Sequence, residues 1–313
     1  MKKIFLTFIA IVLLLGASVQ KASAQYYFYD NNYYDNPWLF EIGGSLNAMN
    51  CLTDLGGTKG IGKKFVKDLN TGVTKLAGSV YLSAMYKSAV AIRVEGTFGN
   101  IEAYDRILEK VKNTTPRYNR NLSFRSKISE IALIAELHPM FIFRNYQERD
   151  EDPPRLSPYL AIGIGFFNFN PQAKTNAGKW VDLQPLSTEG QGFAEYADRK
   201  VYKLSQMNIP MGAGIKYEIS PMLNLRGEFI LRKLNTDYLD DVSTRYVLDP
   251  ENLYAKYFTG TQYANALELN NRSKIKSEQL ASLPGGIRGY NNKDSYFTFN
   301  LKLGINFGRE RIR

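Results

Sequence analysis

The last apolar stretch of the chain, Tyr296 to Phe307, alternates without an error. Phe297, Phe299, Leu301, Leu303, Ile305 and Phe307 fall on one side, and Thr298, Asn300, Lys302, Gly304 and Asn306 on the other. Period two is the mark of a β-strand with two unlike faces. A strand of this length crosses a hydrocarbon layer at a tilt, with its apolar face on lipid and its polar face turned inward. A soluble sandwich shows the same alternation, so the choice of medium has to come from the rest of the chain.

The beginning of the chain indicates the compartment. Lys2 and Lys3 precede a mostly apolar run, Ile4 to Gly16, and Ala22, Ser23 and Ala24 give the small-x-small pattern of a signal-peptidase site. Residues 1–24 read as an export leader, with Gln25 as the mature N-terminus. Its apolar core is short for a membrane anchor. Cys51 is the one cysteine, which excludes an internal disulfide framework and places no lipid at the mature N-terminus. No later run suits a membrane helix, so a membrane location requires a closed barrel. Aromatics at 13% of the chain suit interfacial girdles. The formal charge of +10 falls to near +7 once Lys2, Lys3 and Lys21 leave with the leader. The basic residues are scattered through loops of an exported chain, which points to anionic lipid headgroups or acidic partners and away from nucleic acid.

After a tyrosine-rich periplasmic lead, residues 25–37, the alternation predicts eight strands. They cover 38–49, 80–86, 90–98, 122–138, 159–169, 207–218, 223–232 and 296–307. The connections run long, short, long, medium, long, short, long. Long loops at one rim and tight turns at the other are the habit of outer-membrane barrels, whose turns face the periplasm. The fold predicted is all-β: an eight-stranded antiparallel transmembrane β-barrel over 38–308, followed by a basic tail, 309–313. Two local features are also expected. Ile101, Tyr104, Leu108 and Val111 have the spacing of a short amphipathic helix over the barrel mouth. In the fourth strand the apolar residues change phase, from even-numbered Leu122, Phe124 and Ile128 to odd-numbered Ile131, Leu133, Ala135 and Leu137, which predicts a bulge near Ser129 or Glu130.

The inward faces collect Glu41, Arg93, Glu95, Glu130, Glu136, Lys216, Glu218, Arg226, Glu228, Arg232 and Lys302. Eight strands enclose only enough space for side chains, and a lone charge buried there is very costly, so these groups are expected to pair and fill the lumen. Candidate chemistry is sparse. His138, the one histidine, falls near the periplasmic rim, far from Cys51, and reads as structural. A zinc site built from several histidines or cysteines is excluded by count. Gly57, Gly62 and Lys63 imitate a phosphate-binding loop, but Lys64 stands where a Ser or Thr should hold magnesium. Asp237, Asp240 and Asp241 lack the spacing of a known calcium loop. No catalytic residue, metal ligand or cofactor is predicted.

Five segments, Trp38 to Gly57, Leu156 to Ala173, Pro185 to Gly192 (PLSTEGQG), Ile209 to Ser220 and Thr236 to Val247 (with YLDDVS), resemble a Bacteroidota family of outer-membrane barrels that includes PorG of the type IX secretion system. The likeness spans nearly all of the mature chain. It departs in the first strand, where Cys51 and Thr53 stand around positions at which the family has a Tyr and a Gly. The resemblance implies an anchoring component of that machinery, contacting outer-membrane lipids and a periplasmic ring lipoprotein. Surfaces available to such a partner are the lead (Tyr26, Tyr27, Tyr29), the charged connection (Arg144, Arg149, Arg155) and the tail (Arg309, Arg311, Arg313). The alternative is a barrel whose extracellular loops serve adhesion or bind a small ligand, since function commonly sits on loops carried by a rigid scaffold.

Overall fold

The computed structural model describes residues 37–55, 71–109, 115–142, 154–273, 285–290 and 292–307. The export leader, the tyrosines of the lead, Arg144, Arg149, the arginines of the tail, Val111 and the phosphate-loop imitation at Gly57–Lys64 lie outside these residues.

Among the described residues nine strands follow in order: β1 (Trp38–Leu52), β2 (Lys75–Tyr86), β3 (Val90–Tyr104), β4 (Ser123–Leu137), β5 (Leu156–Lys174), β6 (Trp180–Asp182), β7 (Ser205–Ser220), β8 (Leu223–Leu234) and β9 (Ser295–Phe307). Eight of them pair antiparallel in the order β4-β3-β2-β1-β9-β8-β7-β5, and β4 pairs with β5 to close the ring. The predicted eight-stranded antiparallel barrel is therefore the fold. The three-residue β6 only extends the top of β5. The α-helices among the described residues are α1 (Thr115–Arg120) and α2 (Pro139–Ile142), then α3 (Pro250–Tyr257) and α4 (Gly260–Asn270) between β8 and β9.

The wall is inside out for a water-soluble protein. Leu301, Leu303 and Ile305 are half exposed or more, as are Leu46, Ile92, Ile131, Leu160 and Ile162 on the other strands, and Ile215 nearly so. Residues that alternate with them on the same strands, including Asn300, Lys302, Arg93 and Lys216, are buried. Such a belt has its natural solvent in acyl chains. Aromatic pairs edge it at the rim of short turns, where Trp38 lies 5.0 Å from Tyr86 and Phe40 stacks on Phe307 at 5.8 Å. The β2–β3 hairpin there turns through Lys87, Ser88 and Ala89 between the paired Tyr86 and Val90, with Lys87 and Ser88 at positive φ (49° and 55°) and the Ala89 amide donating to the Tyr86 carbonyl at 3.0 Å.

Two expectations need correction. No bulge interrupts β4, which stays in unbroken register with β3 from Ser123 to Leu137 and with β5 from Arg125 to Leu137. The apolar phase changes because the medium changes. Within the belt, odd-numbered Ile131, Leu133 and Leu137 point outward. Above it, β3, β4 and β5 rise past the other strands, and even-numbered Phe124 and Ile128 point inward against a packed cap while Arg125 and Lys127 face out. The helix expected from Ile101 is likewise absent. Ile101 and Tyr104 continue β3, and only the short turn Asp105–Leu108 and α1 are helical in that connection among the described residues.

Candidate functional site: a sealed lumen and a folded cap

The lumen is filled by a charge lattice in which five cations meet five carboxylates. Arg93 contacts three of them: Glu95 at 3.0 Å, Glu136 at 2.5 Å and Glu228 at 2.7 Å. Lys302 bridges Glu95 (2.5 Å) and Glu228 (3.1 Å). Arg226 joins Glu136 (2.8 Å) to Glu41, which also holds Lys216 at 3.1 Å. Arg232 pairs with Glu130 at 2.6 Å. Neutral groups complete the lattice: the Tyr81 hydroxyl donates to Glu41, Tyr159 to Glu228, Asn300 to Glu228 and Asn208 to Glu130. Arg93, Arg226 and Lys302 all lie within 6 Å of the centre of the Tyr81 ring. A carboxylate so buried is tolerated only when opposite charges and donors surround it, and the alternation along each strand supplies both.

Ten of the eleven charges predicted for the lumen meet in this lattice. Glu218 shares their face of β7 and sits half-buried at the turn rim, two residues beyond Lys216. His138 is at the same rim, as expected. Its Nδ1 lies 2.9 Å from Ser157 Oγ, its Nε2 lies 3.5 Å from Glu136, and its ring stacks on Tyr159 at 5.0 Å. Of the candidate partner contacts only Arg155 is described. It is exposed at this rim, and its carbonyl accepts from the Glu218 amide at 2.8 Å.

The opposite rim carries the four long connections, and two of them fold into a cap. Leu183, Leu186 and Phe193 from the β5–β7 connection pack with Leu239, Val242, Tyr254 and Leu269 from the β8–β9 connection. Together they rest on Met49, Ile101, Phe124, Phe167 and Tyr296, the inward residues of the upper barrel. At the centre is a polar knot. The Glu189 carboxylate accepts from the backbone amides of Ser243 and Thr244, both at 3.0 Å, from Thr244 Oγ1 at 2.7 Å and from Arg288 at 3.1 Å. Asp241 accepts from Thr188 (2.5 Å) and Tyr202 (2.7 Å). Ser187 (φ 46°), Gly190 (φ 78°) and Asp241 (φ 64°) take the left-handed backbone that these tight bends require. A Cβ at Gly190 would also run into the Tyr196 ring.

The knot explains the two segments that strand periodicity leaves without a purpose. PLSTEGQG and YLDDVS are the two halves of one contact, joined by Glu189, Thr188 and Asp241. Sequence reasoning missed the cap's buried basic centre, Arg288, which lies in a connection with no strand periodicity around it. Beside the knot, Asp54, Asp237, Asp240 and Asp294 form an acidic group on three loop segments. Asp54 accepts from the Tyr290 amide (2.6 Å), Asp240 from the Leu55 amide (3.2 Å) and Asp294 from the Leu239 amide (2.9 Å). Burial raises all of their pKa values, Asp237 to about 8 and Asp54 to about 6, with Asp240 and Asp294 well above the ordinary range. Among the described residues, no group of three or more His, Cys, Asp or Glu has the arrangement to hold a metal ion. An apolar depression lined by Leu46, Leu160, Ile215, Phe229 and Leu301 around Gly227 lies on the lipid-facing wall.

The closed sheet, the apolar belt and the segregated connections define the class: the chain has the eight-stranded outer-membrane barrel fold. No protein-family model matches the chain, and no curated protein sequence matches it. Solved structures similar to it include Neisserial surface protein A (8% identity, 87% of this chain and 97% of that one, TM-score 0.35). The outer membrane protein OprG from Pseudomonas aeruginosa is similar too (10% identity, 87% and 97%, TM-score 0.37). So is a major outer membrane protein from Thermus thermophilus (10% identity, 86% and 99%, TM-score 0.38). The fold assignment itself rests on the closure of this chain's own sheet.

Proposed function

We propose that this chain is a structural and interaction protein of the outer membrane, a sealed barrel that anchors a periplasmic ring lipoprotein of the type IX secretion machinery. The observation that carries the reading is the double closure: an internally neutralised charge lattice fills the lumen, and a packed cap covers the loop rim. A barrel shut in this way works through its surfaces and not through a pore or an active-site cleft. The resemblance of its segments to the PorG-containing family supports the secretion role, and exposed Arg155 belongs to the surface offered to a periplasmic partner. A deletion strain is the test: secreted cargo is lost, and the tagged barrel co-purifies a periplasmic lipoprotein. Intact secretion together with altered adhesion or permeability rejects it in favour of the second reading.

That second reading, a cap that binds an external ligand, has one observation in its favour. The cap is a folded body whose apolar core continues into the upper barrel, and it leaves Val201, Leu248, Tyr257 and Tyr290 about half exposed. Rigid scaffolds commonly present binding groups in this manner.

A further inference from the structure

The stretch where β3, β4 and β5 rise above the apolar belt has two unlike faces. The inner face belongs to the cap. The outer face is polar, and its registers stack in rows. Ile131 lies between Gly96 and Phe166, Ser129 between Phe98 and Asn168, Lys127 between Asn100 and Asn170, and Arg125 between Glu102 and Gln172. At the bottom of this ladder Phe98, Ile131 and Phe166 are each about 60% exposed, the top edge of the lipid-facing belt. Immediately above it come two cations on one strand face, two residues and so roughly 7 Å apart.

Among the described residues neither cation forms an ion pair, although Glu102 lies across from Arg125 in the β3–β4 register. Arg125 lies flat on Trp180, 3.7 Å from the ring centre, and its Nε donates to Gln172 Oε1 at 3.1 Å. These two contacts hold the guanidinium in place. Lys127 is exposed, and its ammonium has no ion pair among the described residues. Two acids lie on this face and both are engaged: Glu102 pairs with Lys75 at 2.6 Å, and Asp182 accepts from Asn170 (3.0 Å) and Gln172 (2.6 Å). The ring of amides around the two cations offers hydrogen bonds to hydroxyl groups.

We propose that the outer face of this extension, centred on Arg125 and Lys127, docks a phosphate-bearing glycolipid of the leaflet it faces. Its acyl chains lie on Phe98, Ile131 and Phe166, and its phosphate lies between the two cations. A guanidinium prefers phosphate for its paired donors, and an ammonium supplies a point charge beside it. The proposal rests on the membrane placement alone, so its failure leaves the secretion role untouched.

Native mass spectrometry of the detergent-solubilised barrel tests it. The probes are a diphosphorylated glucosamine lipid, phosphatidylglycerol, phosphatidylcholine and inorganic phosphate. The expected result is retention of the glucosamine lipid in preference to phosphatidylglycerol, with phosphatidylcholine lost. Arg125→Gln/Lys127→Gln weakens that retention by at least about tenfold, from two charge-assisted contacts. Lys200→Gln/Lys256→Gln, the same charge change on the cap, leaves it intact. Arg125→Lys/Lys127→Arg keeps both charges and most of the binding. Heat-modifiable gel mobility verifies that each variant is folded. Undiminished retention by the Gln pair, equal retention of phosphatidylcholine, or displacement by millimolar inorganic phosphate each overturns the proposal.

Discussion

Glu189 is fully enclosed, yet both of its carboxylate oxygens are occupied by donors from the β8–β9 connection and by Arg288. Removing one partner of a buried ion pair costs about 3–5 kcal/mol, because the other charge is left without compensation. Glu189→Ala is therefore expected to release the cap while the barrel below stays folded. Proteolysis would cut residues 175–204 or 235–273 at least a hundredfold faster, with unchanged heat-modifiable mobility. Glu195→Gln, at an exposed pair with Lys256, should leave the cap's protease resistance as it was. The acidic group beside the knot gives a pH prediction. Burial above all pushes Asp237 up to about 8 and Asp54 up to about 6 in the closed cap, with the Tyr290 amide, Arg120 and Arg117 lowering Asp54 only in part. The closed form thus binds more protons than the open one, and its stability is greatest below the ordinary aspartate range. It declines as pH rises from about 4 to about 8, on the order of 1.4 kcal/mol per unit for each displaced group. Hydrogen exchange of residues 237–243 should accelerate over that interval beyond the intrinsic base-catalysed rate. Asp237→Asn should flatten the trend, and a cap that tightens with rising pH would contradict the assignment.

At the scale of the strand, the alternation tells which side chains share a face but not which face is wet. From Thr298 onward β9 lies within the belt, so Phe299, Leu301, Leu303 and Ile305 kept one meaning from sequence to structure, whereas Tyr296 and Phe297 at its start are both buried. β4 leaves the belt part-way, and Phe124 and Ile131 serve opposite faces for the same physical reason, each seeking an apolar medium. The change of phase is visible in the sequence; its cause is visible only once the cap supplies a second apolar medium inside the barrel. Ile101 and Tyr104 misled in a related way, because spacing that fits a helix also fits a strand broken by turns. The ten paired lumen charges were legible because alternation and charge agreed, whereas the cap knot joins residues a hundred positions apart, such as Glu189 and Arg288, and no local pattern carries that. A direct check follows from the belt. Leu301→Arg should cost about 2–4 kcal/mol in urea unfolding from lipid vesicles, and Lys127→Leu, above the belt, should cost far less. A fluorophore at residue 131 should be quenched by brominated acyl chains, and one at residue 125 should not.

For the whole molecule, the lattice and the cap are two closures in series, and they are independent because they draw on different residues. The lattice belongs to strands β1 to β9 within the belt: Glu41, Arg93, Glu95, Glu130, Glu136, Lys216, Arg226, Glu228, Arg232 and Lys302. The cap belongs to the connections and to the inner face above the belt. An eight-stranded ring has room for side chains and little else, so removing the cap should not open a channel. Replacing residues 236–294 with a short turn is expected to give a barrel that still inserts, still shows heat-modifiable mobility, and passes no steady current in planar bilayers. Breaking the lattice is a different injury. Arg226→Ala leaves Glu136 and Glu41 each short of a cation, although Arg93 and Lys216 remain beside them, and about 3–5 kcal/mol of stability is lost. Urea unfolding would then begin earlier with the cap intact, and current would appear only if water entered around the unpaired carboxylates. Steady conductance from the cap deletion alone would mean that the charged side chains do not fill the lumen. The sealed-barrel reading would then give way to a gated pore with the cap as its lid.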